Sequence, residues 1–362
     1  DDTAAIRAAI AACEEVVLPA GATFLTGPVN LTDDQTLRVD GTLLAAPVSA
    51  LASYPVIAPL PSYGWSRDVN CFDRSRIVNG TVWGVSRYSP IIGAFGRRNV
   101  SLLGAGVVDG QGRGWHTLCA QRRLPQGRPR LVEVHNCTEV RIRGVTLQNS
   151  PFWTTHIVYS RKVHLSGLAI FGPEKIVNND GVDVDSSSDV VIEDSVIDTG
   201  DDGIALKSGK DRFGLDLGVP TQNVLVRNIS VGRGARGGLA IGSEMSGGIR
   251  NVTVRNSDFP GHYGIYIKSC PGRGAYIRDI AFHDVHVRAG IRLSMTYDGE
   301  VPGGPVPVIS DILFDGVYGS GGCNIDGCKR AEGGQCFNVS FRNVSVAGCQ
   351  PPPAASDAVL VV

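Results

Sequence analysis

An apolar residue, any residue and a second apolar residue recur along most of the chain, usually after a polar turn. The phrase reads Asn99-Val100-Ser101-Leu102, Val140-Arg141-Ile142, Val163-His164-Leu165, Val190-Val191-Ile192 and Asn223-Val224-Leu225-Val226. It continues as Asn251-Val252-Thr253-Val254, Ile280-Ala281-Phe282, Ile312-Leu313-Phe314 and Asn338-Val339-Ser340-Phe341. Alternation within each unit predicts a strand, and recurrence predicts that each strand stacks on its predecessor. The interval ranges from 23 residues (Val140 to Val163) to 40 (Val100 to Val140), so the turns between strands lengthen freely. No long amphipathic helices separate the strands, which argues against a doubly wound sheet or a TIM barrel. The expected fold is all-β, a right-handed parallel β-helix. A solenoid grows along its axis without a second core, so residues 1–362 are expected to form one domain despite their number.

The non-periodic segments complete the outline. Thr3–Ala12 is the convincing helix: Asp2 or Thr3 can cap it, and Ile6 and Ile10 make an apolar stripe on one side. It is expected to plug the N-terminal end of the solenoid as a cap over residues 1–13. From about 45 to 90 the periodicity is lost and Pro, Tyr and Trp become frequent, which predicts a long loop excursion walling one end of a groove. Segments 110–130 and 296–307 read as further loops, and 350–362 as a C-terminal strap.

A second strand can be aligned by its leading glycine: Gly181-Val-Asp-Val-Asp185, Gly203-Ile-Ala-Leu-Lys207, Gly238-Leu-Ala-Ile-Gly242 and Gly264-Ile-Tyr-Ile-Lys268. Positions one and three after Gly are apolar and point inward; positions two and four point outward. Asp183, Ala205, Ala240 and Tyr266 then form one exterior column, and Asp185, Lys207, Gly242 and Lys268 another. The residue before each glycine heads a third column with Asp180 and Asp202. Adjacent coils lie about 4.8 Å apart, so these carboxylates should be near neighbours with Asp201 beside them. Three carboxylates this close resist ionising together, a cost a purely structural solenoid has little reason to accept. An isolated Asp201-Asp202 could be a turn element; aligned beneath Asp180 and followed by a lysine column, it reads as chemistry.

Composition adds the setting. The 46 glycines against 11 Phe and 4 Trp suit many tight turns around a thin aliphatic core. Nine cysteines favour an oxidising compartment. Cys323, Cys328, Cys336 and Cys349 lack zinc-site spacing and read as disulfide partners, with the pairing open. Sequons at Asn30, Asn79, Asn99, Asn136, Asn228, Asn251, Asn338 and Asn343 favour secretion too, although Asn-rich turns generate them by chance. No apolar run reaches the ~18 residues of a membrane span. The chain begins at Asp1-Asp2-Thr3 without a signal-peptide pattern, so any export signal is expected to have been removed. A net charge of −1 argues against nucleic acid, while basic residues that are mostly arginine permit an acidic ligand. A monomer is expected.

Asn178-Asn-Asp180-Gly-Val-Asp183, followed by Thr199-Gly-Asp201-Asp202-Gly-Ile-Ala-Leu-Lys207-Ser-Gly, resembles the polygalacturonases, glycoside hydrolase family 28. Leu18-Pro-Ala-Gly-Ala-Thr-Phe24, Val108-Asp-Gly-Gln-Gly112, Asn149-Ser-Pro-Phe-Trp153 and Ile241-Gly-Ser-Glu-Met-Ser-Gly-Gly248 extend the likeness over nearly the whole chain. The resemblance implies an inverting hydrolase of pectin-type galacturonan, secreted to act on cell walls. By it, Asp201 is the general acid, and Asp180 and Asp202 hold and deprotonate the attacking water. Inversion needs acid and base roughly 6.5–9.5 Å apart to admit that water, and carboxylates do both transfers without metal or cofactor. Asn178, Asp183, Lys207, Arg236, Tyr266 and Lys268 are the expected substrate-binding residues.

Two departures stand out. Arg236 occupies the position of the family's usual Gly-His-Gly histidine, and Tyr266 that of the arginine in its Arg-Ile-Lys. Arg236 either supplies the missing positive charge or points to solvent, and His262, one coil on, is either a stand-in for the histidine or a turn residue. Trp153 and His156 either line a sugar subsite or pack in a ladder. The phrases from Gly242 to Arg250 and from Lys268 to Tyr276 look more like exo-acting and plant members, and a rhamnogalacturonan- or xylogalacturonan-directed hydrolase suits the departures equally. From other classes, a calcium-dependent pectate lyase would use Asp183 and Asp185 for metal, and a non-catalytic glycan-binding β-helix would have no use for Asp201 and Asp202 as a pair.

Overall fold

The apolar positions of the recurring phrase stack in register, coil upon coil. Val100 pairs with Val140, Val140 with Val163, Val163 with Val190 and Val190 with Val224. Val224 pairs with Val252, Val252 with Ile280, Ile280 with Ile312 and Ile312 with Val339, every pair parallel. The molecule is a right-handed parallel β-helix, and among the described residues 26 strands join one continuous sheet. The computed structural model describes residues 1–63, 71, 77–78, 81–82, 86–297, 304–326, 328 and 335–349. The expected strap over 350–362, the sequon at Asn79, positions 298–303 of the 296–307 loop and parts of the 45–90 excursion lie outside them.

Each coil bends just before its apolar phrase. Asn99, Glu139, Lys162, Asp189, Asn223, Asn251, Asp279, Asp311 and Asn338 all have φ between 54° and 62° or close below, at 53° for Asn251. Asn and Asp tolerate this left-handed region because their short polar side chains bond locally. Here they bond up the stack: the Asn251 amide donates to Asn223 Oδ1 and the Asn223 amide to Asp189 Oδ1, both at 2.8 Å. Several sequon asparagines therefore serve as rungs of this ladder. Inside, valine and isoleucine fill a thin core, which toward the C-terminus becomes a stack of Phe282, Phe314 and Phe341 with centroids 5.1 and 5.0 Å apart.

The leading glycines are required by close approach. A Cβ on Gly181 would lie 2.4 Å from Ile197 Cγ2 and 2.5 Å from the Gly203 carbonyl oxygen; one on Gly238 would lie 2.4 Å from Phe259 Cβ. The glycine-led strands pair as aligned: Asp183 with Ala205, Ala205 with Ala240 and Ala240 with Tyr266.

Three expectations need correction. The helix α1 (Thr3–Ala12) buries Ile6 and Ile10, but neither Asp2 nor Thr3 caps it with its side chain. The Asp2 carboxylate instead accepts from the Leu25 N–H at 2.9 Å and Thr3 Oγ1 from the Gly27 N–H at 2.7 Å, so both tie α1 to the first coil. Segment 110–130 contains a second helix, α2 (Arg113–Ala120), and a third, α3 (Asp211–Leu217), follows the Lys207 strand. The excursion is also more ordered than a loop: Val56–Ile57 pairs antiparallel with Arg87–Tyr88. Tyr54 and Tyr88 pack edge-on against Trp115 of α2 at 5.0 and 5.4 Å.

The cysteines pair as the disulfide reading expected. Cys323 bonds Cys349 and Cys328 bonds Cys336, while Cys71–Cys119 links the excursion to α2. Cys270 is buried beside the Lys268 strand.

Candidate active site

Asp180, Asp201 and Asp202 come from two neighbouring coils. Asp202 opens the strand Asp202–Lys207, and its carbonyl accepts from the Gly181 N–H at 3.0 Å, which seats Asp180 directly beside it along the axis. Asp201 precedes that strand, and its carbonyl accepts from the Arg236 N–H of the next coil at 2.9 Å. Sequence alternation thus brings the three carboxylates together at one edge of the groove floor. All three are largely buried, Asp201 the least at 8% exposed.

Their surroundings differ. Asp201 Oδ2 accepts from the backbone N–H of Asn178 at 2.8 Å, so Asn178, held at φ 58°, meets the carboxylates through its main chain. Asp202 Oδ2 accepts from Lys268 Nζ at 2.8 Å. Burial, together with the charges of Asp183 and Asp201, pushes the Asp180 carboxyl well above the usual carboxylate range. Burial and the neighbouring Asp202 raise Asp201, against the opposing pull of the Asn178 N–H, Lys268 and Arg236.

Lys207 lies beneath this group. Its ammonium stands 3.7 Å from Asp180, 3.5 Å from Asp183 and 3.3 Å from Glu244, over the Trp153 ring at 4.8 Å. Burial works against its charge, but Glu244, Asp183 and Asp180 together hold it well above the ordinary lysine value. Glu244 is therefore a counter-ion to Lys207. Asp183 is raised to about 7, chiefly by burial against the opposing pull of Lys207. Asp183, Asp185 and Lys207 were expected on an exterior column; they are roofed instead. Phe152, Trp153, Leu60 and Tyr63 form a small second core above them. The Tyr63 hydroxyl donates to Asp185 at 2.7 Å, and Trp153 and His156 are packed side chains with no exposed surface. The cause is the excursion, whose position over the floor has no periodic signal in sequence.

On the N-terminal side the same floor column continues through His156 to Glu133. Arg87, carried in by the excursion, donates twice to Glu133 at 2.6 and 2.9 Å with both side chains buried. Burial alone would raise Glu133, but Arg87, a hydrogen bond from His156 and Arg130 together hold it well below its ordinary value. This ion pair was absent from the sequence reading because its partners lie 46 residues apart and Arg87 is carried in by the non-periodic excursion.

On the C-terminal side a cavity of about 390 Å³ opens over Asp201, lined by Lys175, Val177, Gly234, Arg236, His262 and Tyr263 among others. Arg236 and His262 therefore both face the cavity. Beyond Tyr263 lie Tyr266 and Tyr297, with ring centroids 5.1 and 5.8 Å apart in sequence along the chain of rings. Lys268 sits over the Tyr266 and Tyr297 rings at 5.3 and 5.0 Å. A fifth glycine-led strand, Gly290–Ser294, extends the floor, and Arg292 pairs in register with Tyr266. The phrase Gly290-Ile-Arg-Leu-Ser294 carries the same leading-glycine signal as the other four, which the sequence alignment of strands did not include.

Comparison with known proteins agrees with this arrangement. The model of the glycosyl hydrolases family 28 matches residues 11–359. A protein of Vitis vinifera described as a probable polygalacturonase is 36% identical over 270 residues, covering 74% of this chain and 52% of that one. The crystal structure of an exopolygalacturonase from Thermotoga maritima superposes with a TM-score of 0.77 at 28% identity, over 92% of this chain and 79% of the other. The polygalacturonase from Erwinia carotovora gives 0.77 at 26%, over 95% and 90%. The chain covers 52% and 58% of the length of two plant relatives that it matches. With a right-handed β-helix and a family model that matches residues 11–359, the chain belongs to the glycosyl hydrolases family 28.

Proposed function

We propose that this chain hydrolyses α-1,4-galacturonosyl linkages of pectin-type galacturonan with inversion, working from a chain end. The observation that carries the hydrolytic reading is the contrast among the three carboxylates. Asp201, raised by burial and by Asp202, lines the cavity and is suited to give a proton to the glycosidic oxygen. Asp202 is ion-paired with Lys268, and Asp180 lies beside it on the neighbouring coil, a pair suited to hold a water. Asp202 then deprotonates that water with Asp180 positioning it. Arg236 lines the same cavity as Asp201, which supports a role in holding the substrate carboxylate. Lys268 is committed to Asp202, and Lys207 and Asp183 lie below the site, so these three act on substrate through the catalytic carboxylates. Neither proton transfer needs a metal or cofactor. The disulfides support an extracellular protein, as expected for an enzyme that meets cell-wall pectin.

The lyase reading loses its metal pair, since Asp183 faces the Lys207 ammonium and Asp185 accepts from Tyr63, Ser186 and the Gly209 N–H. The test is product analysis on polygalacturonate. The expected products carry the inverted anomeric configuration, lack an ultraviolet-absorbing unsaturated end and persist with a chelator. Activity abolished by chelator and restored by calcium would overturn the proposal.

A further inference from the structure

The wall past Asp201 holds a cation that the proton transfers leave unused. Arg292 stands one coil beyond Tyr266 in the same column, and its guanidinium leans back over the Tyr266 ring at 5.0 Å and toward the Tyr263 ring at 5.9 Å. Tyr263 lines the cavity, so this lean carries the charge toward the cavity. Stacking on tyrosine orients a guanidinium while leaving its donors free.

Those donors are poorly used. Among the described residues the carboxylate paired with Arg292 is Asp326, 3.5 Å from Nη2, beyond the ~2.7–2.9 Å of a good charge-assisted hydrogen bond. Arg292 Nε is buried with no hydrogen-bond partner. Its side chain keeps 34% of its surface exposed, against 8% for Lys268, whose ammonium is already given to Asp202. An arginine held on a flat aromatic floor with spare donors matches a planar carboxylate.

We infer that Arg292 is a specificity residue: resting on Tyr266 and Tyr263, it reads the carboxylate of a sugar bound on the C-terminal side of the catalytic group. Asp326 parks the guanidinium when no sugar is bound. This rests on the galacturonan reading above.

The experiment measures binding of a galacturonate trisaccharide, and of the same trisaccharide fully methyl-esterified, to Asp201→Asn protein by calorimetry. Adding Arg292→Gln should weaken the free acid about 10- to 100-fold, the loss of a charged hydrogen-bonded contact, and leave the ester within twofold. Arg292→Lys should recover part of the loss, and Asp326→Asn should bind the acid as tightly as the parent or more so. Equal weakening of acid and ester, no weakening of either, or Asp326→Asn losing as much as Arg292→Gln would each overturn it. So would a parent protein that binds neither sugar. The galacturonan reading fails separately, if the unmutated protein leaves polygalacturonate uncut.

Discussion

Lys207 neutralises three carboxylates that would otherwise repel one another, Asp180, Asp183 and Glu244. Replacing it with methionine keeps the volume but strands buried anions, so Lys207→Met should lose about 3–5 kcal/mol in denaturant unfolding. Asp183 supplies a pH test. Its folded pKa of about 7 lies above the ~3.9 of an unfolded aspartate, so the folded chain holds a proton that the unfolded chain releases. That contribution is complete below about pH 4 and is lost as pH rises toward 7. The stability advantage of the wild type over Asp183→Asn should therefore shrink across that window, read as the difference in melting temperature. For catalysis, Asp201→Asn should lower kcat about 10²–10⁴-fold with the fold intact, judged by circular dichroism. The carboxylates were legible in sequence because period-two alternation and a leading glycine fix which side chains share a column. Their burial was not, since Trp153 and Tyr63 reach the floor from irregular chain. Arg292 was legible and overlooked.

At the scale of elements, register is what the sequence states most clearly. Each coil presents valine or isoleucine at the first inward position and an aliphatic residue or phenylalanine at the second, and a one-residue slip would turn them all outward. The bend before most phrases is readable as Asn or Asp, residues that tolerate a left-handed backbone, with Glu139 and Lys162 as the exceptions. This gives a paired prediction at Asn251, where φ is 53° and the amide donates to Asn223. Asn251→Ala removes the rung and puts a Cβ-constrained residue in that region, and should cost about 1–2 kcal/mol. Asn251→Gly removes the same rung without the backbone penalty and should cost less in thermal unfolding. If the two variants unfold alike, the hydrogen bond rather than the backbone conformation sets the preference. The helices α2 and α3 were missed for a plain reason: at 8 and 7 residues they are too short for a helical period to stand out from turns.

Over the whole molecule, the floor of the β-helix is asymmetric about its carboxylates, and the asymmetry predicts how the polymer is cut. A chain threaded for internal cutting must leave the catalytic group in both directions along the solenoid axis. Toward the C-terminus the cavity over Asp201 is open and lined by the exposed Arg236 and His262. Toward the N-terminus the column that would carry the next sugars is filled. His156 and Glu133 have no exposed surface, Arg87 is clamped onto Glu133, and Tyr63, Phe152 and Trp153 cover what lies between. Opening that side would require breaking a buried bidentate ion pair, which costs about 3–5 kcal/mol when one partner is lost, too much to happen with each binding event. The geometry therefore favours a polymer entering end-first and losing single sugars or very short products. The measurement compares viscosity with reducing ends during digestion of polygalacturonate. Reducing ends should accumulate from the start while viscosity falls slowly, and one short product should dominate early chromatograms. A steep early fall in viscosity at little reducing-end release would mean that the polymer passes through the N-terminal side, and that Arg87 and Glu133 do not close it.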